Sequence, residues 1–470
     1  MLQRIQVRWP GLANCLLRQA HRLQLARLRL EAARPGARRK GRPPRIVATA
    51  CWRFPIYSQT FVQQEAAAMA QAGFNLRFFH AQTNPRAELA HPSDLLWGLK
   101  RRLILHRLTG ADDLAHYRAR WPDRVARLLQ RLGAAAGLDP VALLAHEHVL
   151  QAFSFTRAVE AWRADYLHSY FFYEQSLFAW VASTLLGLPR GISCYADHVL
   201  DDYALKLVCL QLDDAAVVVA TSQRIRGELE ILHGSALTSV IVKPNAIDAR
   251  SFLPRPQHTG PRDCLRLLSV CRLDPKKGLE YLIGAVALLR QRGVPVQLRI
   301  AGAHDADTPG AAEYVQALHQ AADRSGLAGA VIFLGRCGSH QVRAELAASD
   351  AFVGPFVEQN NGDKDGIPTA VLEAMAAGCA IVTTDAGSLC EIIQHGREAL
   401  VVGQRDSRAL ADALQCLWQD PGLARRLGEA AAARARAEFD VSVCEQALHA
   451  AVRAALARTG AGQHQMAVGP

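Results

Sequence analysis

The stretch "DKDGIPTAVLEAMAAGCAIVTTDAG", residues 363–387, contains a loop, a helix and a strand in direct succession. An acidic loop runs to Pro368, and the missing N–H of proline suits the first turn of a helix. The alanine-rich helix ends at Gly378, and an apolar strand follows at once. The helix holds one carboxylate, Glu373, and burying an unpaired carboxylate is unfavourable by several kcal/mol. We therefore expect Glu373 to face a partner or a ligand.

The same alternation of strand and helix extends on both sides of this stretch. Helices are expected to start near Gly278, Ala311, Ser339 and Pro368. The strands between them are "LRLLSVCRL" (265–273), "VQLRIAGA" (296–303), "AVIFLGR" (330–336), "DAFVGPF" (350–356) and "AIVTTD" (380–385). Short, uniformly apolar strands that alternate with helices indicate a parallel sheet covered on both faces. Right-handed crossovers then predict a doubly wound domain.

The first half of the chain predicts a second domain of the same class. Its strands are "RIVATACW" (45–52), "NLRFFHA" (75–81), "YLHSYFF" (166–172), "GISCYAD" (191–197), "AAVVVATS" (215–222) and "SVIVKPN" (239–245). Residues 92–163 are predicted to be mostly helical, with no strand pattern. The fold class is therefore α/β, with two doubly wound, Rossmann-like domains that face each other across a cleft. Ligand is expected in that cleft, at the carboxyl ends of the strands.

The predicted organisation has five parts. They are a basic N-terminal tail (1–44), a Rossmann-like domain with a helical insert at about 92–163 (45–247), a proline-rich linker (248–262), a second Rossmann-like domain (263–440) and a C-terminal helix and tail (441–470).

Composition excludes several classes of protein. The chain has 470 residues, half of them hydrophobic, which is enough for two cores. No apolar run reaches the roughly 18 residues that a membrane span needs, and the N-terminus lacks the features of a signal peptide. The eleven cysteines include no CxxC pair and no Cys/His cluster, which argues against a disulfide framework or a zinc site. We expect a cytoplasmic protein.

The net charge of +11 comes entirely from residues 1–45, which hold twelve Lys/Arg and one acid. Within this segment, five leucines could share one side of a helix: Leu16, Leu17, Leu23, Leu28 and Leu30. An anionic membrane surface is the natural partner for such a segment, and the protein would then be peripheral on the inner face of the plasma membrane. A solvated extension and a mis-assigned start codon remain open. Nucleic acid is not expected, because the arginines alternate with leucines rather than with stacking aromatics.

Two features of the second half suit a phosphorylated ligand. The free amides of Gly366, Ile367 and Thr369 at the helix start form a site for an anion or a hydroxyl group. Arg272 follows a strand, and Lys277 precedes the next helix, so one cation lies on each side of a turn, which suits a diphosphate. Taken alone, "RLDPKKG" (272–278) is also typical of an ordinary turn. A sugar diol would suit Glu373, because two hydroxyls can donate to its two oxygens.

The motifs "SVCRLDPKKGLEYLI" (269–283) and "DGIPTAVLEAMAAGCAIVTTDAGSLCEII" (365–393), with the strands between them, resemble the donor domain of glycosyltransferase family 4. That family consists of retaining enzymes with the two-domain GT-B fold. "FPIYSQTFVQQE" (54–65) is similar to a phrase found in exopolysaccharide glycosyltransferases of the colanic-acid and amylovoran type. The resemblance covers about residues 45–440 and is weakest across 92–163.

The resemblance implies roles for individual residues. Arg272 and Lys277 would hold the diphosphate, Glu373 the ribose hydroxyls, and Asp365 the transferred sugar. The remaining implied positions are the helix start Gly366, Ile367, Pro368 and Thr369 around the sugar and distal phosphate, Glu391 beneath them, Ser58, Gln59 and Thr60 on the acceptor side, and His198 as the family histidine.

Three positions depart from the family pattern. Asp365 replaces the usual glutamate and has a shorter reach. Asp197 occupies the register of the family histidine, with His198 one residue later, and either could take that role. Ala246 stands where glycine is common.

The implied reaction transfers a sugar from a nucleotide-diphosphate sugar, and the acceptor attacks from the face that the diphosphate leaves. No protein nucleophile, cofactor or metal is implied. The carrier is UDP or GDP, with UDP the more usual in the family. A glycan or lipid-linked acceptor is expected, and "LKRRLILHRL" (99–108) could touch a membrane.

Three other interpretations are compatible with parts of the sequence. "DKD" (363–365) and "DAD" (305–307) could be metal-binding D-x-D motifs of a different glycosyltransferase fold, although short acidic repeats are common in turns. A sugar-nucleotide 2-epimerase shares the architecture. A non-catalytic nucleotide-sugar sensor or scaffold would keep the same ligand positions.

Overall fold

The computed structural model describes residues 10–33, 42–50, 52–56, 59–82, 94–252, 263–304 and 310–466. The chain forms two compact units. The first consists of residues 1–220, 227–241 and 446–470, and the second of residues 221–226 and 242–445.

The first unit is built on a seven-stranded sheet with the order β3-β2-β1-β4-β5-β6-β7. Its strands are β1 (Arg45–Thr49), β2 (Asn75–His80), β3 (Lys100–Arg102), β4 (Tyr166–Tyr170), β5 (Arg190–Cys194), β6 (Val217–Ala220) and β7 (Val240–Val242). β1 pairs in parallel with β2 on one side and β4 on the other. All five residues of β1 are buried, and its three central residues are apolar, as expected for a strand covered on both faces.

The second unit contains a six-stranded sheet with the order β10-β9-β8-β11-β12-β13. Its strands are β8 (Leu265–Val270), β9 (Val296–Ala301), β10 (Val331–Gly335), β11 (Ala351–Gly354), β12 (Ala380–Thr384) and β13 (Leu400–Val402). The order reverses between β8 and β11, as in the doubly wound nucleotide-binding fold. Ligands bind such sheets at the carboxyl ends of the strands beside this reversal.

Helices connect the strands in both units. In the first unit they are Pro10–Ala33, Thr60–Gln71, Asp94–Leu99, Arg107–Arg120, Pro122–Ala136, Pro140–Ala145, Glu147–Trp162, Glu174–Leu186 and Val208–Asp213. In the second unit they are Leu279–Gln291, Ala311–Arg324, Ser339–Ala348, Thr369–Ala376, Leu389–Ile392, Ser407–Gln419 and Pro421–Arg434. Gln223–His233 and Val441–Met466 begin in the second unit and continue into the first.

The prediction of two doubly wound α/β domains is confirmed, and three of its details need correction. Residues 92–163 are mostly helical as predicted, but they also contain a strand, because β3 extends the first sheet beyond β2. The sheet of the second unit has one strand more than predicted, since β13 pairs with β12. The helix predicted from Pro368 begins one residue later, and Pro368 precedes it with ψ 123°. The predicted linker lies outside the described residues from 253 onwards.

The N-terminal helix Pro10–Ala33 packs on the first unit along one side. Leu25, Leu28 and Ala32 are buried in the same core cluster as the helices at residues 107–120 and 147–162. The Arg45 guanidinium donates to the carbonyl of Ala32 at 2.7 Å. Leu28, predicted to lie on an apolar side free for a membrane, is therefore part of the core.

The last helix also belongs largely to the first unit. Leu448, Val452 and Ala455 are buried in a cluster with residues of β1, β2, β4 and β6 and of the helix Thr60–Gln71. The domain limits predicted from the sequence remain predictions, and the units described here differ from them mainly through this returning C-terminal segment.

Candidate functional site

The carboxyl end of β8 leads into a tightly built turn. A 3₁₀ turn, Pro275–Lys277, follows the strand, and the carboxylate of Asp274 caps it by accepting from the Lys276 amide at 3.2 Å. Gly278 then starts the next helix with φ +61°, and a Cβ there would clash with the carbonyl oxygen of Pro355. Glycine at 278 thus allows the backbone to approach closely and fixes the direction of the two lysines.

Two ion pairs join this turn to the acidic loop that follows β11. Lys277 Nζ lies 2.5 Å from Asp365 Oδ2, and Lys276 Nζ lies 2.8 Å from Asp363 Oδ1. Burial by itself would raise the pKa of Asp365, but Lys277, Lys276 and Arg272 outweigh it and hold the pKa below its ordinary value. Asp365 is therefore ionised at neutral pH, and it neutralises part of the charge of the lysine turn.

The predicted residues Arg272, Lys277 and Asp365 are thus brought together in one cluster. The Arg272 guanidinium lies 3.7 Å from the carboxylate of Asp274 and contributes to the positive field around Asp365. Both acids of "DKD" bind lysines, so the motif is not a free pair of carboxylates. Among the described residues, no group of three or more His, Cys, Asp or Glu side chains could hold a metal ion. Residues 305–307, the other D-x-D motif, lie outside the described part of the chain.

The start of the helix Thr369–Ala376 is held from two sides. Asn245 Nδ2 donates to the carbonyl of Ile367 at 3.0 Å, and the Ser388 amide donates to the carbonyl of Gly366 at 3.1 Å. Within the described part of the chain, the N–H groups of Gly366, Ile367 and Thr369 donate no hydrogen bond. Their carbonyls are fixed while their amides are available, which is the arrangement that binds anions at a helix start.

Glu373 is the fifth residue of this helix and lies between two fully buried side chains, Leu372 and Ala374. Its own side chain is partly buried, and no described residue forms a hydrogen bond or ion pair with its carboxylate. Burial raises its pKa to about 7, although the more distant Arg343 acts in the opposite direction. A carboxylate held in this state gains most from a ligand that donates hydrogen bonds to it.

Glu391 lies in the helix Leu389–Ile392, and both of its oxygens are engaged by the protein. They accept hydrogen bonds from the backbone amides of Gln223 and Arg224 at 2.7 and 2.9 Å, so the carboxylate caps the start of the helix Gln223–His233. This position makes Glu391 a residue that holds the framework. Its predicted contact with a nucleotide remains a prediction.

Several residues that anchor this region were not identified from the sequence. Arg224 binds Glu358 through two hydrogen bonds at 2.6 and 3.0 Å, and this guanidinium lowers the pKa of Glu358. Ser222 Oγ lies 2.7 Å from Ser388 Oγ, and the Gly387 amide donates to Glu358 at 3.0 Å. Arg224 and Glu358, like Ser222 and Ser388, are more than a hundred residues apart in the sequence. No local sequence pattern could therefore reveal these contacts.

The remaining predicted residues lie in the first unit. His198 Nδ1 is 2.9 Å from the carbonyl of Tyr195, and its Nε2 is 3.1 Å from Glu228 Oε2. Asp197 is buried, accepts the Phe172 amide at 2.7 Å, and leaves its second oxygen without a hydrogen-bond partner among the described residues. Burial raises the pKa of Asp197. Both side chains therefore remain candidates for the role implied by the family histidine.

The acceptor-side residues are only partly described. Ser58 lies outside the described residues. Gln59 precedes the helix Thr60–Gln71, and its side chain does not cap that helix. Their predicted role therefore remains a prediction.

Comparisons with known proteins show what this chain is similar to. Residues 264–420 match the family model described as glycosyl transferases group 1. WcaL of Escherichia coli, a glycosyltransferase named for colanic acid biosynthesis, is 32% identical over 186 residues, which cover 40% of this chain and 44% of WcaL. The amylovoran biosynthesis glycosyltransferase AmsK of Erwinia amylovora is 30% identical over 184 residues, which cover 39% of this chain and 43% of AmsK. The chain thus spans less than half the length of these curated relatives.

Solved structures agree on the fold. The crystal structure of HepE from Anabaena in complex with UDP-glucose superimposes with a TM-score of 0.64 at 17% identity, covering 87% of this chain and 99% of HepE. The chain therefore has the two-domain GT-B fold, its residues 264–420 match the model of group 1 glycosyl transferases, and its sequence resembles the colanic-acid and amylovoran glycosyltransferases.

Proposed function

We propose that this protein is a retaining glycosyltransferase that moves a sugar from a nucleotide-diphosphate sugar to a glycan or lipid-linked acceptor during exopolysaccharide biosynthesis. One observation carries the proposal: the second unit contains cations in the β8 turn, amides at a helix start and a carboxylate, Glu373, and these amides and this carboxylate have no hydrogen-bond partner among the residues that the structure describes. These three groups match the three parts of such a donor, which are the diphosphate, the sugar and the ribose diol.

The ion pair between Lys277 and Asp365 suggests how the donor would be bound. A diphosphate beside Lys277 competes with Asp365 for the ammonium group, because charge-assisted bonds to phosphate are strong. Asp365 would then be released to accept a hydrogen bond from a hydroxyl of the transferred sugar. In this way, donor binding replaces an internal ion pair with two contacts to the substrate.

The proposed chemistry depends on stabilising the leaving group. When the bond between the sugar and the diphosphate breaks, negative charge grows on the diphosphate, and Arg272, Lys277 and the helix-start amides stabilise it. The acceptor attacks on the same face of the sugar and gives its proton to a phosphate oxygen that is leaving. No protein nucleophile takes part in this proposal, and protein cations supply the positive charge that a metal ion would otherwise provide.

UDP is the first carrier to test, because HepE, which shares the fold, was crystallised with UDP-glucose. GDP is the second. Thermal-shift screening of UDP- and GDP-sugars, with and without a chelator, would identify the donor, because a ligand stabilises the fold in proportion to its occupancy. Lack of stabilisation by any nucleotide sugar would contradict the proposal.

Two further assays separate the alternatives. Incubating the protein with its donor alone and analysing the nucleotide sugar detects an epimerase, which changes the sugar without an acceptor. Transfer of labelled sugar into a lipid or polymer extract distinguishes a transferase from a scaffold. Binding without either reaction would favour the scaffold.

A further inference from the structure

The N-terminal helix Pro10–Ala33 has a second apolar side that faces solvent. Leu12, Leu16, Leu23 and Leu30 are 54%, 39%, 65% and 71% exposed. Their spacing of four, seven and seven residues aligns them on one side of the helix. We call these four residues the leucine stripe. Four exposed leucines in one line are unusual on a soluble surface and mark an interaction site.

The opposite side of the helix holds it firmly on the first unit. His21, Leu25, Leu28 and Ala32 are all buried, and they too recur every three or four residues. His21 Nε2 lies 2.8 Å from Asp113 Oδ2, and this contact is itself buried. The leucine stripe is therefore presented by a fixed helix, and its exposure does not come from a loosely attached segment.

Positive charge accompanies the leucine stripe. Arg22 and Arg29 are exposed on the helix, and the side chain of Arg27 is 76% exposed. Glu31, the single acid of the helix, is largely buried and lies 3.0 Å from Arg101. Three exposed arginines of the described helix thus accompany the leucine stripe, and Glu31, which also lies 3.4 Å from Arg27, offsets only part of their charge.

A second patch of similar character lies near the end of the helix. The contact between Arg101 and Glu31 brings the segment 97–102 next to it. In that segment Trp97 is 40% exposed, and Lys100 Nζ lies 4.0 Å from the centre of its ring. An exposed tryptophan beside cations is typical of surfaces that rest in the headgroup region of a bilayer.

We propose that the leucine stripe and its flanking arginines bind an anionic lipid membrane, with the helix Pro10–Ala33 lying in the plane of the interface. None of the described helices combines the length and hydropathy of a membrane span. In this position the leucines insert to a shallow depth among the acyl chains, and the arginines contact the anionic headgroups. A second copy of this chain fits less well, because pairing two such helices would bring arginines together without acids to match them.

Vesicle binding tests this proposal without a donor or an acceptor, so its outcome is independent of the proposed transferase activity. The full-length protein should sediment with vesicles of phosphatidylcholine and phosphatidylglycerol, bind phosphatidylcholine alone much less, and be released by salt. Failure to bind the mixed vesicles, or equal binding to both kinds, would overturn the proposal.

The decisive variant replaces the leucine stripe by glutamine (L12Q/L16Q/L23Q/L30Q), since glutamine keeps the helix propensity. We expect affinity for the mixed vesicles to fall at least about tenfold while the unfolding temperature is kept. The matched control is V141Q/I231Q, because Val141 and Ile231 are 80% and 83% exposed outside this helix. It should bind as the unmodified protein does, and equal losses in both variants would refute a specific role for the stripe.

Two further measurements test the proposal if the stripe variant does not fold, or if the stripe binds a second copy of the chain. R22Q/R27Q/R29Q leaves the leucines in place and should weaken binding to the mixed vesicles, with a smaller dependence on salt. Unchanged salt dependence would contradict the proposal. Light scattering should give the same molar mass for the unmodified protein and the stripe variant. If the unmodified protein were a dimer and the stripe variant a monomer, the stripe would bind a second copy of the chain, and the membrane proposal would be refuted.

Discussion

Replacing Glu373 by glutamine tests the most specific feature of the candidate site. Burial raises the pKa of this carboxyl from 4.5 to about 7, so its ionised form is unfavourable in the folded protein. A shift of this size corresponds to roughly 3 kcal/mol. Because the side chain is only partly buried, solvent screening reduces the effect, and we expect about 1–2 kcal/mol.

The sign of the pH dependence follows from the raised pKa. The folded protein binds the proton of Glu373 more tightly than the unfolded chain, so stability falls as pH rises from 4.5 to about 7. The E373Q variant lacks this loss. Without ligand, the two proteins should have the same free energy of unfolding at about pH 4.5. At about pH 8, the free energy of unfolding of E373Q should be higher by about 1–2 kcal/mol. Each kcal/mol should raise the melting temperature by about 2–4 °C.

Nucleotide binding should show the opposite effect. Ribose hydroxyls that donate to the carboxylate stabilise its ionised form, so binding lowers the pKa and releases a proton near neutral pH. In E373Q that proton release disappears, and affinity falls by roughly 10- to 100-fold, as expected for the loss of charge-assisted hydrogen bonds.

Thermal unfolding across pH and titration calorimetry with UDP, in two buffers of different ionisation enthalpy, measure both effects. E429Q is the matched control, because Glu429 is an exposed carboxylate of the same unit. If E373Q gained no stability at high pH and bound UDP as tightly as the unmodified protein, the assignment of Glu373 would be refuted.

Four further predictions concern the lysine turn and its neighbours. K277A should lower turnover by about two orders of magnitude, because it removes one preorganised cation, and steady-state kinetics with the identified donor would reveal normal turnover if this is wrong. D365N should be less stable than the unmodified protein at neutral pH, because the ionised Asp365 carboxylate stabilises the fold. The unmodified protein loses this stabilisation as pH falls below the ordinary aspartate pKa of 3.8, so the acid unfolding curves of the two proteins should converge at low pH. G278A should destabilise the protein by more than about 1 kcal/mol in chemical denaturation, since its Cβ meets the Pro355 carbonyl and its φ is +61°. Removing divalent metals with a chelator should leave turnover unchanged, and chelator-sensitive activity would contradict the metal-free proposal.

Local patterns were sufficient to predict the sheets and most of the helices. Buried parallel strands such as β12 consist of consecutive apolar or β-branched residues, and glycine marks the helix end at Gly378, where φ is +70°. The short strands β3 and β13 were not predicted. β3 consists of Lys and Arg, which resemble a helix surface, and β13 follows a segment with no repeating strand–helix pattern of its own. Such edge strands are defined by the neighbour that they pair with.

In the candidate site, too, sequence motifs identify individual residues but not the contacts that the fold creates between them. Glu373, Asp365 and Lys277 belong to contiguous motifs and could be selected from the sequence. The direct contact between Lys277 and Asp365 spans 88 residues, and the contact between Arg224 and Glu358 spans 134, so both depend on how the chain folds back. Glu391 shows the limit of a motif, because its carboxylate is engaged by amides that lie 167 and 168 residues away in the chain.

The last helix of the chain has a practical consequence for work on the separate units. Leu448, Val452 and Ala455 complete a core whose other members come from the first half of the sequence. A recombinant N-terminal fragment that stops after β7 would leave that hydrophobic surface open to water and would be prone to aggregate. A soluble fragment should instead require residues 446–466 to be restored, through a peptide linker or as a separately expressed helix that rebinds, and such rebinding would offer a simple split-protein reporter for this gene product.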